Sequence, residues 1–246
     1  MRRAITDDAL LDGKLRLFQP AEGYRVNVDA LILAAFAAEP RAVRLAVDLG
    51  AGVGGVGLAL HRVGAAERVA LIEREGALVE LARENLARAG VPGEVFRLDL
   101  ARDGLPPALV ERAELVVCNP PYFPDGAVRR QKHPLTRASR TGELEPFVAA
   151  AARALRGTRG RAAFAYPAPS LGELFRAATN AGLVPKRLRL VHARADAPAR
   201  LALVELRRAK PGGLVVEAPL IEWAAPTIRT PALDAIVRGR FGRGAG

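Results

Sequence analysis

Asp48-Leu49-Gly50-Ala51-Gly52-Val53-Gly54-Gly55 is the stretch that decides the fold. The apolar run 45–49 predicts a buried strand that ends in this glycine-rich turn, and a helical pattern over 53–63 follows. Glycine tolerates positive φ and lets a ligand approach the backbone closely. Gly50, Gly52 and Gly55 also fit the G-x-G-x-x-G spacing of dinucleotide-binding folds, although that spacing alone is a weak signal. The alternative interpretation, a purely structural glycine turn that binds no ligand, also remains.

The rest of the chain repeats this alternation of strands and helices. Further strands are predicted at 68–73, 95–98, 115–118, 161–166, 188–192 and 201–206, and further helices at 75–89, 145–155 and 170–181. Such alternation predicts βαβ units and a parallel sheet covered on both faces. The 246 residues therefore predict one α/β unit. We expect residues 41–246 to form a Rossmann-like domain with a doubly wound, seven-stranded, mostly parallel sheet, and residues 1–40 to form a short N-terminal extension.

Composition excludes several classes of protein. Half of the residues are hydrophobic, which suffices for a sizeable core. The single cysteine, Cys118, excludes an internal disulfide framework and a Cys-rich metal site. The first residues lack the apolar stretch of a signal peptide, and no run approaches the roughly 18 apolar residues of a transmembrane helix. We expect a cytoplasmic enzyme or binding protein with neither a metal nor a membrane partner.

The net charge of +11 is unevenly distributed along the chain. Residues 1–124 carry 15 basic and 17 acidic side chains, whereas residues 125–246 carry 22 and 9. This asymmetry favours a polyanionic partner, nucleic acid above all, on one side of the molecule. The alternative is base composition, because arginine outnumbers lysine 33 to 4, as in proteins of GC-rich genomes.

Carboxylates follow the first three predicted strands. Asp48 lies two residues before Gly50, where an acid can hold a cationic amino group near the turn. Glu73 ends the second strand 23 residues after Gly50, at the spacing where a carboxylate binds the two hydroxyls of a ribose. Asp99 closes the third strand and is a candidate acceptor for the exocyclic amine of an adenine, although a turn or cap aspartate explains it almost as well.

Asn119-Pro120-Pro121-Tyr122 ends the fourth predicted strand. An amino group on a base is a poor nucleophile because its lone pair is delocalised into the ring. The Asn119 side-chain carbonyl and the Pro120 backbone carbonyl can accept both N–H groups and draw the nitrogen towards tetrahedral geometry. The prolines restrict the backbone, so the two acceptors are in place before reaction. Tyr122 can stack on the flat ring. An ordinary Pro-Pro turn is the plainer alternative.

The glycine turn together with Asn119-Pro120-Pro121-Tyr122 resembles the class I S-adenosylmethionine-dependent amino methyltransferases. The N-terminal stretches 17–20, 23–25 and 29–34, with 185–192 near the end, are similar to the bacterial tRNA1(Val) (adenine37-N6)-methyltransferase family. That family often has Thr-Gly-Ser-Gly after the first glycine. This chain has Ala51-Gly52-Val53-Gly54, which keeps the glycines and lacks the hydroxyls.

The resemblance implies methyl transfer from S-adenosylmethionine to the N6 of an adenine in a tRNA anticodon loop. It implies the cofactor against 48–54, its ribose on Glu73 and its adenine near Asp99, with an N-terminal segment that closes over it. The implied cofactor-binding residues are Gln19, Arg25, Asp29, Asp48, Gly50, Gly52, Glu73, Asp99 and Asn119. For Arg25, a surface ion pair with Glu22 or Asp29 is an equal alternative.

Residues 126–142 contain no acid and follow the tetrapeptide directly. A basic loop there can hold phosphates while an exposed base enters the site, although a solvated loop is the alternative. The candidate RNA contacts in this segment are Arg129, Arg130, Lys132, His133 and Arg137. A further set flanking the last strands can extend that surface: Lys186, Arg187, Arg189, Arg194 and Arg200.

Several rival functions remain at this stage. The same chemistry can act on the N2 of an rRNA guanine or on a glutamine side chain of a protein factor. An RNA-binding module without catalysis is disfavoured by Asp48, Glu73 and Asn119. The hypothesis of a nicotinamide-dependent dehydrogenase is supported by the glycine spacing alone.

Overall fold

The computed structural model describes residues 4–23, 25–120 and 144–241. Its strands are β1 (Ile5–Leu10), β2 (Leu15–Pro20), β3 (Val43–Leu49), β4 (Ala66–Glu73), β5 (Gly93–Arg97), β6 (Leu115–Cys118), β7 (Arg161–Pro167), β8 (Val184–His192), β9 (Ala199–Arg207), β10 (Val215–Val216), β11 (Leu220–Ile221), β12 (Trp223–Ala225) and β13 (Ile228–Arg229). Its α-helices are α1 (Val28–Ala37), α2 (Gly55–Arg62), α3 (Gly76–Arg88), α4 (Leu100–Asp103), α5 (Leu144–Ala154), α6 (Leu171–Asn180) and α7 (Pro231–Val237).

Seven long strands form the central sheet in the order β8-β9-β7-β6-β3-β4-β5. The pairs β7·β6, β6·β3, β3·β4 and β4·β5 are parallel, whereas β9 runs antiparallel to both of its neighbours. The two-residue strands β10 and β11 add to β8 and bring the sheet to nine strands. The predicted doubly wound, mostly parallel α/β fold is confirmed, and the two short additions were not predicted.

Two hydrophobic clusters cover the two faces of the sheet. One joins β2, α1, α2, α3 and α7, and the other joins α5 and α6 with the segment around α4. Strands buried on both faces are uniformly apolar, as in β6, where all four residues are buried. Burial on both sides therefore explains why short apolar runs predicted these strands.

The N-terminal segment is an integral part of this packing. Strands β1 and β2 form an antiparallel hairpin that pairs Thr6 with Gln19 and Leu10 with Leu15. Helix α1 begins after Asn27, whose side chain accepts the Asp29 N–H at 3.0 Å, and eight of its ten residues are buried. The hairpin was not predicted. The division into 1–40 and 41–246 stays a prediction.

Helix boundaries follow the glycines closely. Helix α2 begins at Gly55 rather than at the predicted Val53, because Gly50, Gly52 and Gly54 all have positive φ and keep the chain in a turn. Helix α3 ends before Gly90, which has φ +63° and lies two residues before Pro92, as predicted. No helix among the described residues is long and apolar enough to span a membrane.

Candidate active site at the carboxyl edge of the sheet

The topological switch point of the sheet lies between β3 and β6. The chain leaves β3 towards β4 and β5 on one side, and β6 and β7 lie on the other. Leu49 pairs with Ile72 of β4 and with Cys118 of β6, so the segments after these strands emerge side by side. Ligands of open α/β sheets bind in the crevice at this position. The fold thus places the glycine turn, Glu73 and Asn119 at one edge, which we call the carboxyl edge.

Backbone hydrogen bonds hold the glycine turn against β4. The N–H groups of Gly50 and Ala51 both donate to the Ile72 carbonyl at 2.9 Å. Gly50 has φ +71°, and a Cβ added there would lie 3.0 Å from Cε1 of Phe147 on α5. Both features demand glycine, because a side chain would be strained and would meet an aromatic ring.

Glu73 is the buried acid at the centre of this edge. Its Oε2 accepts the Gly52 N–H at 2.9 Å, and its Oε1 accepts the N–H groups of Arg74 at 2.8 Å and Glu75 at 2.9 Å. Burial raises the pKa of the Glu73 carboxyl, and the backbone donors oppose that rise. The carboxylate therefore lies directly against the glycine turn, and its predicted contact with a ribose stays a prediction.

Asp48 lies behind the turn and is almost completely buried. Its Oδ2 accepts the Gly57 N–H of α2 at 2.8 Å. Burial, with the nearby Glu73 charge, raises the pKa of Asp48 to about 7. One carboxylate oxygen thus anchors α2 to β3, and the predicted contact with a cationic amino group stays a prediction.

Asn119 follows β6 directly and is half-buried, and Pro120 is buried. The parallel register of β6 with β3 places them beside the glycine turn. Pro121 and Tyr122 lie outside the described residues, so the predicted amine-binding corner is described for its first two positions.

Gln19 and Arg25 both bind Asp8 in the N-terminal hairpin. Buried Gln19 donates from Nε2 to Asp8 Oδ2 at 2.9 Å and accepts the Val26 N–H at 2.7 Å. Arg25 pairs with Asp8 at 2.7 Å and also donates to Thr6 and to the Pro20 carbonyl. These bonds fix the hairpin to the segment before α1. The predicted cofactor contacts of Gln19 and Arg25 stay predictions.

Asp29 is buried in an ion pair that joins the two ends of the chain. Its Oδ1 lies 2.6 Å from Arg200 Nη2, and the same guanidinium pairs with Glu222. Arg25 therefore pairs with Asp8, an acid that was not among the partners expected for it, and Asp29 pairs with Arg200. A cofactor contact of Asp29 stays a prediction.

Asp99 caps helix α4. Its Oδ1 accepts the Ala101 N–H at 3.0 Å, and its Oδ2 lies 3.9 Å from Arg74 Nη1. The structure thus confirms that Asp99 is a helix cap. Asp99 also lies at the carboxyl edge, because it follows by two residues Arg97, which stands opposite Glu73 in the register of β5 with β4. Its predicted adenine contact stays a prediction.

The predicted basic surface is only partly described. Arg129, Arg130, Lys132, His133 and Arg137 lie outside the described residues. Arg187 and Arg200 do not extend an open basic surface. Arg187 is bound by Glu205 and Glu217 and packs over Phe36, and Arg200 is bound by Asp29 and Glu222. Acidic partners from distant segments bind these two cations. Their positions beside the last strands therefore wrongly predicted an open basic surface.

Two residues of this region were missed as functional candidates. Phe147 lies against Gly50, and Asn85 of α3 is completely buried. Asn85 accepts the Phe18 N–H at 2.7 Å and donates to the carbonyls of Phe18 at 3.0 Å and Val53 at 3.1 Å. Asn85 thereby joins the hairpin to the glycine turn. An amide on the apolar stripe of α3 is the sequence signal that could have identified it.

The residues at this edge fit a nucleoside cofactor with a cationic centre. Glycines with positive φ follow β3 at this edge, and two buried carboxylates, Asp48 and Glu73, lie beside them. Among the described residues, no group of three or more His, Cys, Asp or Glu side chains could hold a metal ion. Fold and site together define a class I methyltransferase.

The chain belongs to the Methyltransferase small domain family, whose model matches residues 27–156. S-adenosylmethionine is therefore the cofactor of this chain. The tRNA1(Val) adenine family suggested by the sequence is not confirmed by these comparisons.

Three similar proteins illustrate the breadth of the class. A release factor glutamine methyltransferase of Mycolicibacterium smegmatis is 42% identical over 81 residues, which are 33% of this chain and 28% of that protein. A structure of a predicted O-methyltransferase from Agrobacterium tumefaciens is 29% identical, with a TM-score of 0.67, covering 88% of this chain and 99% of that one. The T. thermophilus 16S rRNA N2 G1207 methyltransferase with AdoMet and guanosine is 18% identical, with a TM-score of 0.56, covering 84% and 50%. The match thus spans under a third of the curated relative's length.

Proposed function

We propose that this chain methylates a planar amino group, namely the N6 of an adenine in the anticodon loop of a tRNA. The observation that carries the proposal is the position of Asn119. It leaves β6 at the carboxyl edge, next to the glycine turn that follows β3. An amide oxygen at this point can meet an amine that is presented to the cofactor's side of the crevice.

Asn119 and Pro120 act on the amine as paired acceptors. The Asn119 side-chain carbonyl accepts one N–H and the Pro120 backbone carbonyl accepts the other, which turns the nitrogen lone pair out of the ring plane. Pro120 is buried, so its carbonyl is held by packing before the substrate arrives. Tyr122 stacks on the base. The methylated nitrogen is cationic and sheds a proton without a strong general base.

Glu73, Asp48 and the glycine turn hold the cofactor in this proposal. When bound, S-adenosylmethionine supplies an electrophilic methyl group on its sulfonium. Glu73 accepts from the ribose hydroxyls, Asp99 accepts from the adenine, and Asp48 stabilises the cationic amino group. Gln19, Arg25 and Asp29 contact the cofactor from the N-terminal segment. The nearness of that segment supports this part, because a Cβ added at Gly55 would lie 2.6 Å from Cγ2 of Val26.

The charge distribution supports an RNA acceptor. Residues 125–246 carry 22 basic and 9 acidic side chains, and the acid-free stretch 126–142 directly follows the tetrapeptide. Arginines and lysines there neutralise backbone phosphates while an already unpaired base enters the crevice at little unstacking cost. Arg129, Arg130, Lys132, His133 and Arg137 are the residues assigned to this task.

A glutamine side chain of a protein factor is the second candidate acceptor. Its amide nitrogen is also planar and delocalised, so the same pair of acceptors can activate it. The 42% identical relative named release factor glutamine methyltransferase favours this candidate, over 81 aligned residues.

One experiment separates the acceptors. The full chain is incubated with S-adenosylmethionine carrying a labelled methyl group and, in separate reactions, unmodified tRNA, unmodified rRNA or an unmodified release factor. The Asn119→Ala variant serves as the inactive control. We expect label in the tRNA, recovered as N6-methyladenosine by nucleoside mass spectrometry. Label in the release factor alone would replace adenine with glutamine, and N2-methylguanosine in rRNA would replace it with guanine.

A further inference from the structure

A second cleft lies at the opposite edge of the sheet, where the parallel strands begin. We call this the amino edge. The cleft has a volume of about 840 Å³ and is formed by the segments that lead into β3, β4, β6 and β7, with the end of β9. Six arginines and three glutamates line it: Arg41, Arg44, Arg156, Arg159, Arg161, Arg207, Glu39, Glu67 and Glu114. The seven residues of β3 separate this edge from the carboxyl edge by roughly 20 Å.

The carboxylates of the cleft do not neutralise its arginines. Glu114 is shared by Arg44 and Arg156, at 2.8 and 3.2 Å. Glu39 lies 3.0 Å from Arg161, and Arg207 lies 3.9 Å from it. Arg207 also binds Glu205 at 2.7 Å, a carboxylate that does not line the cleft. Three carboxylates thus serve four guanidinium groups, and with six arginines against three glutamates in its lining the cleft keeps an excess of positive charge.

Two further arginines of the cleft form no close pair with a carboxylate; Arg41 acts on Glu114 only through its charge, which helps to lower the pKa of that carboxyl. Arg41 and Arg159 are exposed and form no hydrogen bond or ion pair with any described residue. Both side chains are free to turn towards an anion in the cleft. An arginine fork binds the oxygens of a phosphate in bidentate fashion, which a lysine cannot do.

Arg161 supplies an independent sign of a missing ligand. Its side chain is only 5% exposed. Nε donates to Glu39 at 3.0 Å and Nη2 donates to the Ala37 carbonyl at 2.9 Å, but Nη1 is buried without any hydrogen-bond partner among the described residues. Leaving a buried charged donor unsatisfied costs stability, so such a group calls for an explanation.

We propose that the amino-edge cleft is a second binding site, which takes a phosphate group held by Arg41, Arg159 and Arg161. The phosphate oxygens accept from the two free guanidinium groups and from Nη1 of Arg161, so the orphaned donor gains its partner. The phosphate belongs either to a small ligand such as a nucleotide or to an RNA backbone. The site does not depend on the proposed methyl acceptor, because it shares no residue with the carboxyl edge.

The test uses the full chain and a charge-matched pair of double variants. Arg41→Gln with Arg159→Gln removes the two unpartnered guanidinium groups of the cleft. Arg62→Gln with Arg229→Gln removes the same charge from two exposed arginines that do not line it. Calorimetry measures the binding of inorganic phosphate, of a nucleoside 5′-monophosphate and of a short oligoribonucleotide without terminal phosphate. Arg161→Lys, which keeps the charge and removes Nη1, is a third variant.

We expect the cleft variant to bind inorganic phosphate at least about tenfold more weakly and the control within about twofold of the unmodified chain. Arg161→Lys should weaken binding as well. If it fails to fold, the double variant decides. Competition by the oligonucleotide assigns the site to an RNA backbone, and binding of the monophosphate alone assigns it to a small ligand. Equal phosphate affinity in the cleft variant and the unmodified chain, or no saturable binding at all, overturns the proposal.

Discussion

The carboxyl and amino edges of the sheet use charge in opposite ways. At the carboxyl edge, the acids Asp48 and Glu73 are buried and bound by backbone N–H groups. At the amino edge, arginines dominate and are bound by glutamate side chains, as in the Arg44–Glu114 pair. Backbone donors are fixed by the turn, whereas long side chains depend on what packs around them. The carboxyl edge is therefore preorganised, and the amino edge is adaptable.

Asn119→Ala tests whether the carboxyl edge holds the chemistry. We expect kcat to fall by about 10²–10³-fold, as when a positioned polar group is removed from an active site. The cofactor Kd should stay within about threefold, because Glu73 and the glycine turn are unchanged. Single-turnover rates and calorimetry measure the two quantities, and Asn180→Ala, at the exposed last residue of α6, is the control. Undiminished turnover in Asn119→Ala would remove the amine site from this edge.

Asn85→Ala tests whether the carboxyl edge depends on the N-terminal hairpin. The change removes three buried hydrogen bonds, two to Phe18 and one to Val53. We expect the free energy of unfolding to fall by about 2–3 kcal/mol, because buried partners are left unsatisfied. Cofactor affinity should fall too, since the Val53 carbonyl in the glycine turn loses its support. Stability loss with unchanged cofactor affinity would show that Asn85 acts on the fold alone. Denaturant unfolding and calorimetry give both values.

The two edges differ in how much the sequence predicts. The carboxyl edge is assembled from local patterns, namely a glycine run after one strand, Glu73 at the end of the next and Asn119 after a third. The carboxyl ends of parallel strands lie at the same edge of a sheet, so each local pattern was enough to predict where its residue lies. The fold class followed from the same alternation.

The amino edge escaped prediction because its partners come from distant segments. Arg161 at the start of β7 is bound by Glu39, 122 residues earlier, and no spacing signals such a pair. The same reason explains Arg25, which was considered for the cofactor or for Asp29 and pairs with Asp8 of an unpredicted hairpin. Long charged side chains take whichever partner tertiary packing brings, whereas glycines report local backbone geometry.

Asp48→Asn tests the burial of negative charge at the carboxyl edge. The pKa of Asp48 is raised to about 7 from 3.8, so the folded state binds this proton more tightly than the unfolded state. Stability from this group is greatest below pH 3.8 and is lost as pH rises to 7. Relative to Asp48→Asn, the unmodified chain should lose about 2 kcal/mol between pH 5 and 7.

The control for that titration is Asp196→Asn, at an exposed residue whose pKa is lowered by Arg194. Its contribution changes only below pH 3.8, so its difference from the unmodified chain should be flat between pH 5 and 7. Urea unfolding at several pH values measures both. A flat difference for Asp48→Asn as well would mean that Asp48 is ionised in the folded protein throughout this range.

Gly50→Ala and Gly64→Ala compare the two edges directly. Both glycines have positive φ, +71° and +75°, so both substitutions carry a similar backbone strain of about 1 kcal/mol. Gly64, in the turn before β4, has nothing within 4 Å of an added Cβ, whereas at Gly50 that Cβ lies 3.0 Å from Phe147. We expect Gly50→Ala to cost about 1 kcal/mol more, and only Gly50→Ala to weaken cofactor binding. Adding Phe147→Leu should recover part of the extra stability loss, because a smaller side chain yields to the new methyl group. If the two glycine variants lose equal stability and both bind the cofactor as tightly as the unmodified chain, then backbone strain alone explains the glycine at position 50, and the glycine turn does not bind the cofactor.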